Sequence, residues 1–122
     1  MNSIQKGNIT ELKVQLRLVE KGFDVFTPIT DGSPVDLIFI DEGGCCKKVQ
    51  VKKSKETKTG FAFDSRKSTS SSRVRKKSYS EKEIDYFATI FKNKLYLVPI
   101  KDCLDRAKIL LRINEDYKNQ NE

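Results

Sequence analysis

Val35-Asp36-Leu37-Ile38-Phe39-Ile40, then Asp41-Glu42-Gly43-Gly44, then Cys46-Lys47-Lys48-Val49-Gln50-Val51-Lys52-Lys53 is the stretch that decides the fold. The first run is apolar and rich in β-branched residues, and the last alternates charge or amide with valine. Glycines lie between them, so the pair reads as a β-hairpin. Successive side chains of a strand face opposite ways, which puts Lys48, Gln50 and Lys52 on one face and Val49 and Val51 on the other. Asp36 opens the first strand, opposite the far end of the second. An acid, an amide oxygen and an amine therefore meet at one end of the hairpin. A merely solvated face alternates in the same way, since antiparallel sheets commonly leave one side in water.

Upstream, Leu12, Leu16 and Val19 recur at i, i+4 and i+7 between Asn8 and Gly22, with Val14 and Leu18 thickening the apolar side. This predicts an amphipathic helix that ends in a glycine cap. Glu11 shares its side with Gln15 and Leu18 and can reach the polar edge of the sheet. Asn8 and Glu11 also have the spacing of a capping box, which is a purely structural role for Glu11. Downstream, Gly60-Phe61-Ala62-Phe63 reads as a short strand. Ile84, Phe87, Ala88 and Phe91 have helical spacing behind a Ser80–Glu83 capping box. Leu95 to Ile100 reads as a buried strand, and Asp102 as the cap of a last helix with Cys103, Ala107 and Leu110 inward.

Taken together, Glu11 on a first helix, Gly22-Phe23-Asp24-Val25-Phe26 entering a first strand, Pro34-Val35-Asp36 and Gln50-Val51-Lys52 resemble the PD-(D/E)XK nuclease superfamily. Two branches are nearest: intron-encoded homing endonucleases with glutamine in the second acidic position, and archaeal-type Holliday junction resolvases of similar length. The resemblance spans about residues 7 to 100. It implies an α/β fold, a restriction-endonuclease-like α-β-β-β-α-β core with a mixed central sheet flanked by helices. It also implies a magnesium site, with manganese able to substitute, held by Glu11, Asp36, the Gln50 amide oxygen and the Val51 carbonyl, with Lys52 as the motif lysine. Gln50 in place of an acid removes one negative charge from that site and leaves an oxygen able to coordinate. Val35 between Pro34 and Asp36 is a milder departure.

Composition fits such an enzyme. The 122 residues make one domain with a modest core, expected over residues 1–113 with a polar flexible tail at 114–122. The formal charge of +7 favours a polyanionic partner, although a basic soluble domain would share it. Residues 54 to 82 hold nine Lys or Arg against three acids and are serine-rich. Lys55, Lys58, Arg66, Lys67, Arg73, Arg75, Lys76 and Lys77 are the expected DNA contacts. Most lie in a basic loop at 64–80 that follows the site strand, and a flexible solubilising loop is the alternative. No histidine is present, which excludes His–Cys zinc motifs and a histidine base, and Cys45, Cys46 and Cys103 are too few for a four-thiolate site. Their odd number and the lack of an apolar leader point to a cytoplasmic protein, and no stretch approaches the roughly 20 apolar residues that span a membrane.

The expected activity is magnesium-dependent endonucleolytic hydrolysis of duplex DNA in a homing or restriction-like manner. A structure-selective junction resolvase and a non-catalytic DNA-binding module are the alternatives. Two cuts require two centres, so a homodimer or homotetramer is expected, with Ile109, Leu111 and Ile113 of the last helix as interface candidates.

Overall fold

Capping bonds at its two ends set the length of the N-terminal helix. A computed structural model describes residues 1–67 and 79–104 and the backbone of a strand at 108–112. Helix α1 spans Ser3–Glu20. Asn2 caps it, its Oδ1 accepting from the Gln5 N–H at 2.9 Å while Gln5 Oε1 accepts from the Asn2 N–H at 2.9 Å. This reciprocal pair is the capping box. The box expected at Asn8 and Glu11 is not formed, because both residues lie inside the helix. At the other end Gly22 takes φ +91°. Its N–H donates to Val19 O at 2.9 Å and the Phe23 N–H donates to Leu18 O at 3.2 Å, which satisfies the last carbonyls. The glycine stop is where the sequence put it.

The inward face of α1 differs from the one expected. Val14 and Leu18 are fully buried, whereas Leu12, Leu16 and Val19 are 63%, 52% and 56% exposed. Each helical residue turns by about 100°, so Glu11, Val14, Gln15 and Leu18 form one stripe and the more apolar Leu12, Leu16 and Val19 another. The sheet brings enough apolar surface of its own that two aliphatic side chains complete the seam. Glu11 and Gln15 ride inward on the same stripe.

The strands are β1 (Asp24–Phe26), β2 (Leu37–Ile40), β3 (Cys46–Val51), β4 (Lys55–Glu56), β5 (Gly60–Asp64), β6 (Tyr86–Phe91), β7 (Lys94–Pro99) and β8 (Lys108–Arg112). Five form a sheet in the order β1-β2-β3-β6-β7, parallel at β3–β6 and antiparallel elsewhere. The β2–β3 hairpin pairs Leu37 with Val49 and Ile40 with Cys46, as the alternation requires. Its turn is held by Asp41, whose Oδ1 accepts from the Gly43 and Cys45 N–H groups at 2.9 Å each. A second sheet has the order β4-β5-β8.

Each face of the central sheet has its own core. On one side Val14 and Leu18 of α1 meet Leu37, Phe39, Val49, Val51, Ala88, Leu95 and Leu97. On the other, Phe61 and Phe63 of β5 meet Phe87, Phe91, Tyr96 and Val98, with the Phe61 and Phe91 rings stacked at 4.4 Å.

Burial on both faces explains the second correction. The segment expected as a helix after Ser80 is β6: Tyr86-Phe87-Ala88-Thr89-Ile90-Phe91 is a continuous apolar run whose residues also match helical spacing by coincidence. Lys92 and Asn93 follow it with φ of 49° and 68°, the two left-handed residues of a tight hairpin turn into β7. The Ser80–Glu83 contact exists, Glu83 Oε1 accepting from the Ser80 N–H at 3.0 Å, but it closes a turn. The last helix is likewise replaced. Ile100–Cys103 is one 3₁₀ turn with Cys103 buried, and Leu110 lies in β8 opposite Ala62. Ile109 and Leu111 are strand residues paired with Phe63 and Phe61, so they are not an exposed helix face. Ala107, Ile113 and the 114–122 tail lie outside the described residues.

The two stripes of α1 make a direct comparison. Leu18→Ala should cost about 2–5 kcal/mol and Leu16→Ala no more than about 0.5 kcal/mol, as for core and surface truncations. Denaturant unfolding of both variants checks this; the greater loss in Leu16→Ala would reverse the faces.

Candidate active site

Asp36 is bound to β3 twice. Its N–H donates to Val49 O at 2.8 Å, and its Oδ2 accepts from the Val51 N–H at 2.8 Å. The residue before β2 thus brackets the segment that carries Gln50. Lys52 continues the strand, its N–H donating to Ala88 O at 2.9 Å across the parallel β3–β6 pair. The expected meeting of Asp36, Gln50 and Lys52 at one end of the hairpin is what the backbone produces.

Glu11 arrives from α1. With Asp36 it lines a cavity of about 390 Å³, together with Gln15 and the loop bearing Thr27, Asp31 and Ser33. Burial pushes the Glu11 carboxyl above its ordinary pKa, and the Asp36 charge pushes it further. Asp36 is also raised, because burial outweighs the Val51 hydrogen bond and the attraction of Lys52, both of which act the other way. Two carboxyls share one half-buried space at a cost in ionisation. The capping reading of Glu11 is gone, so this position is the remaining account of it.

Gln50 faces a neighbouring cavity of about 310 Å³ with Lys67, Tyr79 and Glu83, and the two cavities share Gly32 and Ser33. Gln50 Nε2 donates to Val51 O at 3.3 Å, so the amide and the carbonyl lie against each other. Lys52 Nζ donates to Arg66 O at 2.7 Å and sits 5.3 Å from the centre of the Tyr79 ring.

No group of three or more His, Cys, Asp or Glu side chains suited to a metal occurs among the described residues. Glu11 and Asp36 on one cavity, with the Gln50 amide and the Val51 carbonyl beside it, are oxygen-bearing groups of the kind a hard divalent cation prefers.

Two of the expected DNA contacts have acidic partners within the chain. Arg66 is paired with Asp64 through two bonds of 3.0 and 2.8 Å, and Lys67 Nζ lies 2.6 Å from Glu83 Oε2. Lys55 on β4 and Lys58 in the turn after it are exposed. Arg73, Arg75, Lys76 and Lys77 are outside the described residues. Sequence reasoning missed Tyr79, Glu83, Gln15 and the 27–33 loop. The loop's signal was Asp31-Gly32-Ser33-Pro34, a turn cluster directly before Asp36, where Gly32 takes φ +87°.

The family model described as PD-(D/E)XK endonuclease matches residues 1–122. No curated protein matches the chain. Among solved structures, a bacterial homing endonuclease is similar with a TM-score of 0.77 and 26% identity, over 95% of this chain and 82% of that one. The likeness extends to the core: an α/β fold whose mixed central sheet is flanked by helical segments in the restriction-endonuclease-like arrangement. No helix among the described residues is long and apolar enough to cross a membrane.

Raised carboxyls make the metal-free centre a stability cost at neutral pH. Each raised group contributes stability that is fully present below its ordinary value, 3.8 for Asp36 and 4.5 for Glu11, and is lost as pH rises through the folded value. Asp36→Asn keeps an oxygen to accept the Val51 N–H and removes the charge. At neutral pH without metal it should be at least as stable as the parent, and the stabilisation that magnesium gives the parent should disappear. Thermal unfolding with and without magnesium tests both, and equal magnesium stabilisation of parent and variant removes Asp36 from the ligands.

Proposed function

The chain belongs to the PD-(D/E)XK endonuclease family, and from that premise we propose that it is a magnesium-dependent endonuclease hydrolysing phosphodiester bonds in duplex DNA, homing or restriction-like. The observation that carries this is the pair of hydrogen bonds from Asp36 to β3, at Val49 and Val51 on either side of Gln50, with Lys52 and Glu11 within electrostatic reach. The similarity to a homing endonuclease favours a duplex over a four-way junction and supports reading Gln50-Val51-Lys52 as the glutamine form of the acid-x-lysine motif.

Glu11, Asp36, the Gln50 amide oxygen and Val51 O would hold the ion. When bound it supplies water activation and neutralises charge on the phosphoryl oxygens. Gln50 would offer its amide oxygen to the ion, in exchange for the bond its Nε2 makes to Val51 O. Asp36 Oδ2 keeps β3 in register through Val51 N–H, so Oδ1 is the oxygen available to chemistry. Lys52 holds its ammonium near Asp36 and stabilises negative charge at the reacting phosphate. Lys55, Lys58, Arg66 and Lys67 act on the DNA backbone, which positions the duplex without reading its sequence. One centre per chain and two cuts per double-strand break call for a homodimer or homotetramer. Compartment and assembly follow the same reading: a cytoplasmic oligomer acting on DNA.

Asp36→Asn and Lys52→Ala should each lower cleavage of linear duplex by roughly a hundredfold or more while leaving DNA binding largely intact. Near-parental cleavage by Asp36→Asn defeats the proposed centre, and cleavage of a four-way junction alone selects the resolvase alternative. Binding without magnesium- or manganese-dependent nicking would support the non-catalytic module instead. Gln50→Glu should bind magnesium more tightly in a calorimetric titration, and unchanged affinity would take Gln50 out of the ligand set.

A further inference from the structure

Lys52 carries its charge on a flexible four-carbon stem, so an ammonium that acts at one point needs something to hold it there. Two groups do so. Arg66 O accepts from Nζ at 2.7 Å, and Arg66 is itself fixed by its bonds to Asp64. The second group is the Tyr79 ring, 5.3 Å from Lys52 Nζ. The same ring lies 5.6 Å from Lys67 Nζ, and Lys67 is paired with Glu83. Tyr79 is buried and packs edge-on against Phe87 at 5.5 Å, so the ring is a rigid member of the second core. One ring thus lies beside two ammonium groups, that of Lys52, which attracts the Asp36 carboxylate, and that of Lys67, which is paired with Glu83.

The tyrosine itself is tuned to stay neutral there. Burial, Asp36 and Glu83 push its hydroxyl up to about 12, so at any working pH it adds no negative charge between the two ammonium groups. A ring of this kind attracts cations through its quadrupole, and more strongly where water is excluded.

We infer that Tyr79 is a positioning residue of the centre: its ring sets the direction of the Lys52 ammonium toward the reacting phosphate and holds Lys67 over the adjoining cavity for the neighbouring backbone phosphate. This rests on the nuclease reading of Lys52, with Tyr79 acting through the lysines and touching no reacting atom.

The ring and the hydroxyl are separable by comparing Tyr79→Phe with Tyr79→Leu. In the metal-free, DNA-free full chain, the side-chain methylene protons of Lys52 and Lys67 should show upfield ring-current shifts in the NMR spectrum of the parent and of Tyr79→Phe, and lose them in Tyr79→Leu. With magnesium and linear duplex, Tyr79→Leu should lower kcat by roughly tenfold to a hundredfold, the scale of losing a group's orientation, with KM little changed, and Tyr79→Phe should restore most of it. Phe91→Leu removes another ring from the same core, one stacked on Phe61 and not on Tyr79, and it controls for loss of packing. Parental kcat in Tyr79→Leu overturns the proposal, as does a loss in Phe91→Leu equal to that in Tyr79→Leu, or a Tyr79→Phe as impaired as Tyr79→Leu. If the parent cuts no DNA, the nuclease reading fails, and the ring-current shifts still decide whether the ring holds the two lysines.

Discussion

Everything at the site depends on Asp36 being tied to β3 by main chain and side chain at once. The N–H bond to Val49 O extends the β2–β3 pairing by one residue. The Oδ2 bond to the Val51 N–H reaches past the end of the ladder and fixes where the carboxylate lies relative to Gln50 and Lys52. A buried backbone N–H left unpaired is costly, so the carboxylate is also a structural acceptor, and its placement is as firm as the strand. Oδ1 takes no part in that bond. Under the proposed function, structural and chemical roles would fall on different atoms of one side chain.

The β2–β3 hairpin was more legible in the sequence than the elements around it. The hairpin was readable because alternation with period two and a glycine turn have one structural solution, and Asp36, Gln50 and Lys52 came with it. β6 was not, because a strand buried on both faces loses its alternation. Phe87 serves one core and Ala88 the other, and only length and the Lys92-Asn93 turn distinguish that run from a helix. For α1 the most apolar stripe faces outward, since the inward stripe spends two of its positions on Glu11 and Gln15 at the cavity. A helix that carries a carboxylate and an amide to a cavity gives up hydrophobicity on its inward face, and that misled a reading by hydrophobicity alone.

Charge tells a similar story. The excess of Lys and Arg is real, yet Arg66 and Lys67 are neutralised within the chain by Asp64 and Glu83. Both pairs are only partly buried, and pairs near the surface are worth little to stability, so under the proposed function a phosphate would replace either acid at small cost. Net charge alone conveys none of this, because a paired lysine and a solitary one count the same.

The glutamine at position 50 is best understood through the electrostatics of its neighbours. Glu11 and Asp36 are already raised by burial, and Glu11 is raised further by Asp36. A third carboxylate in the same half-buried space would repel both and push their ionisation higher still, so protons would compete harder with any cation for the site. An amide supplies an oxygen without that repulsion, and its nitrogen has somewhere to go, the Val51 carbonyl 3.3 Å away. The cost is one unit of attraction for the cation; the gain is a centre that holds its two charges with less strain when no cation is bound. Under the proposed function Gln50 would be a coherent member of a two-carboxylate site and not the scar of a lost third acid.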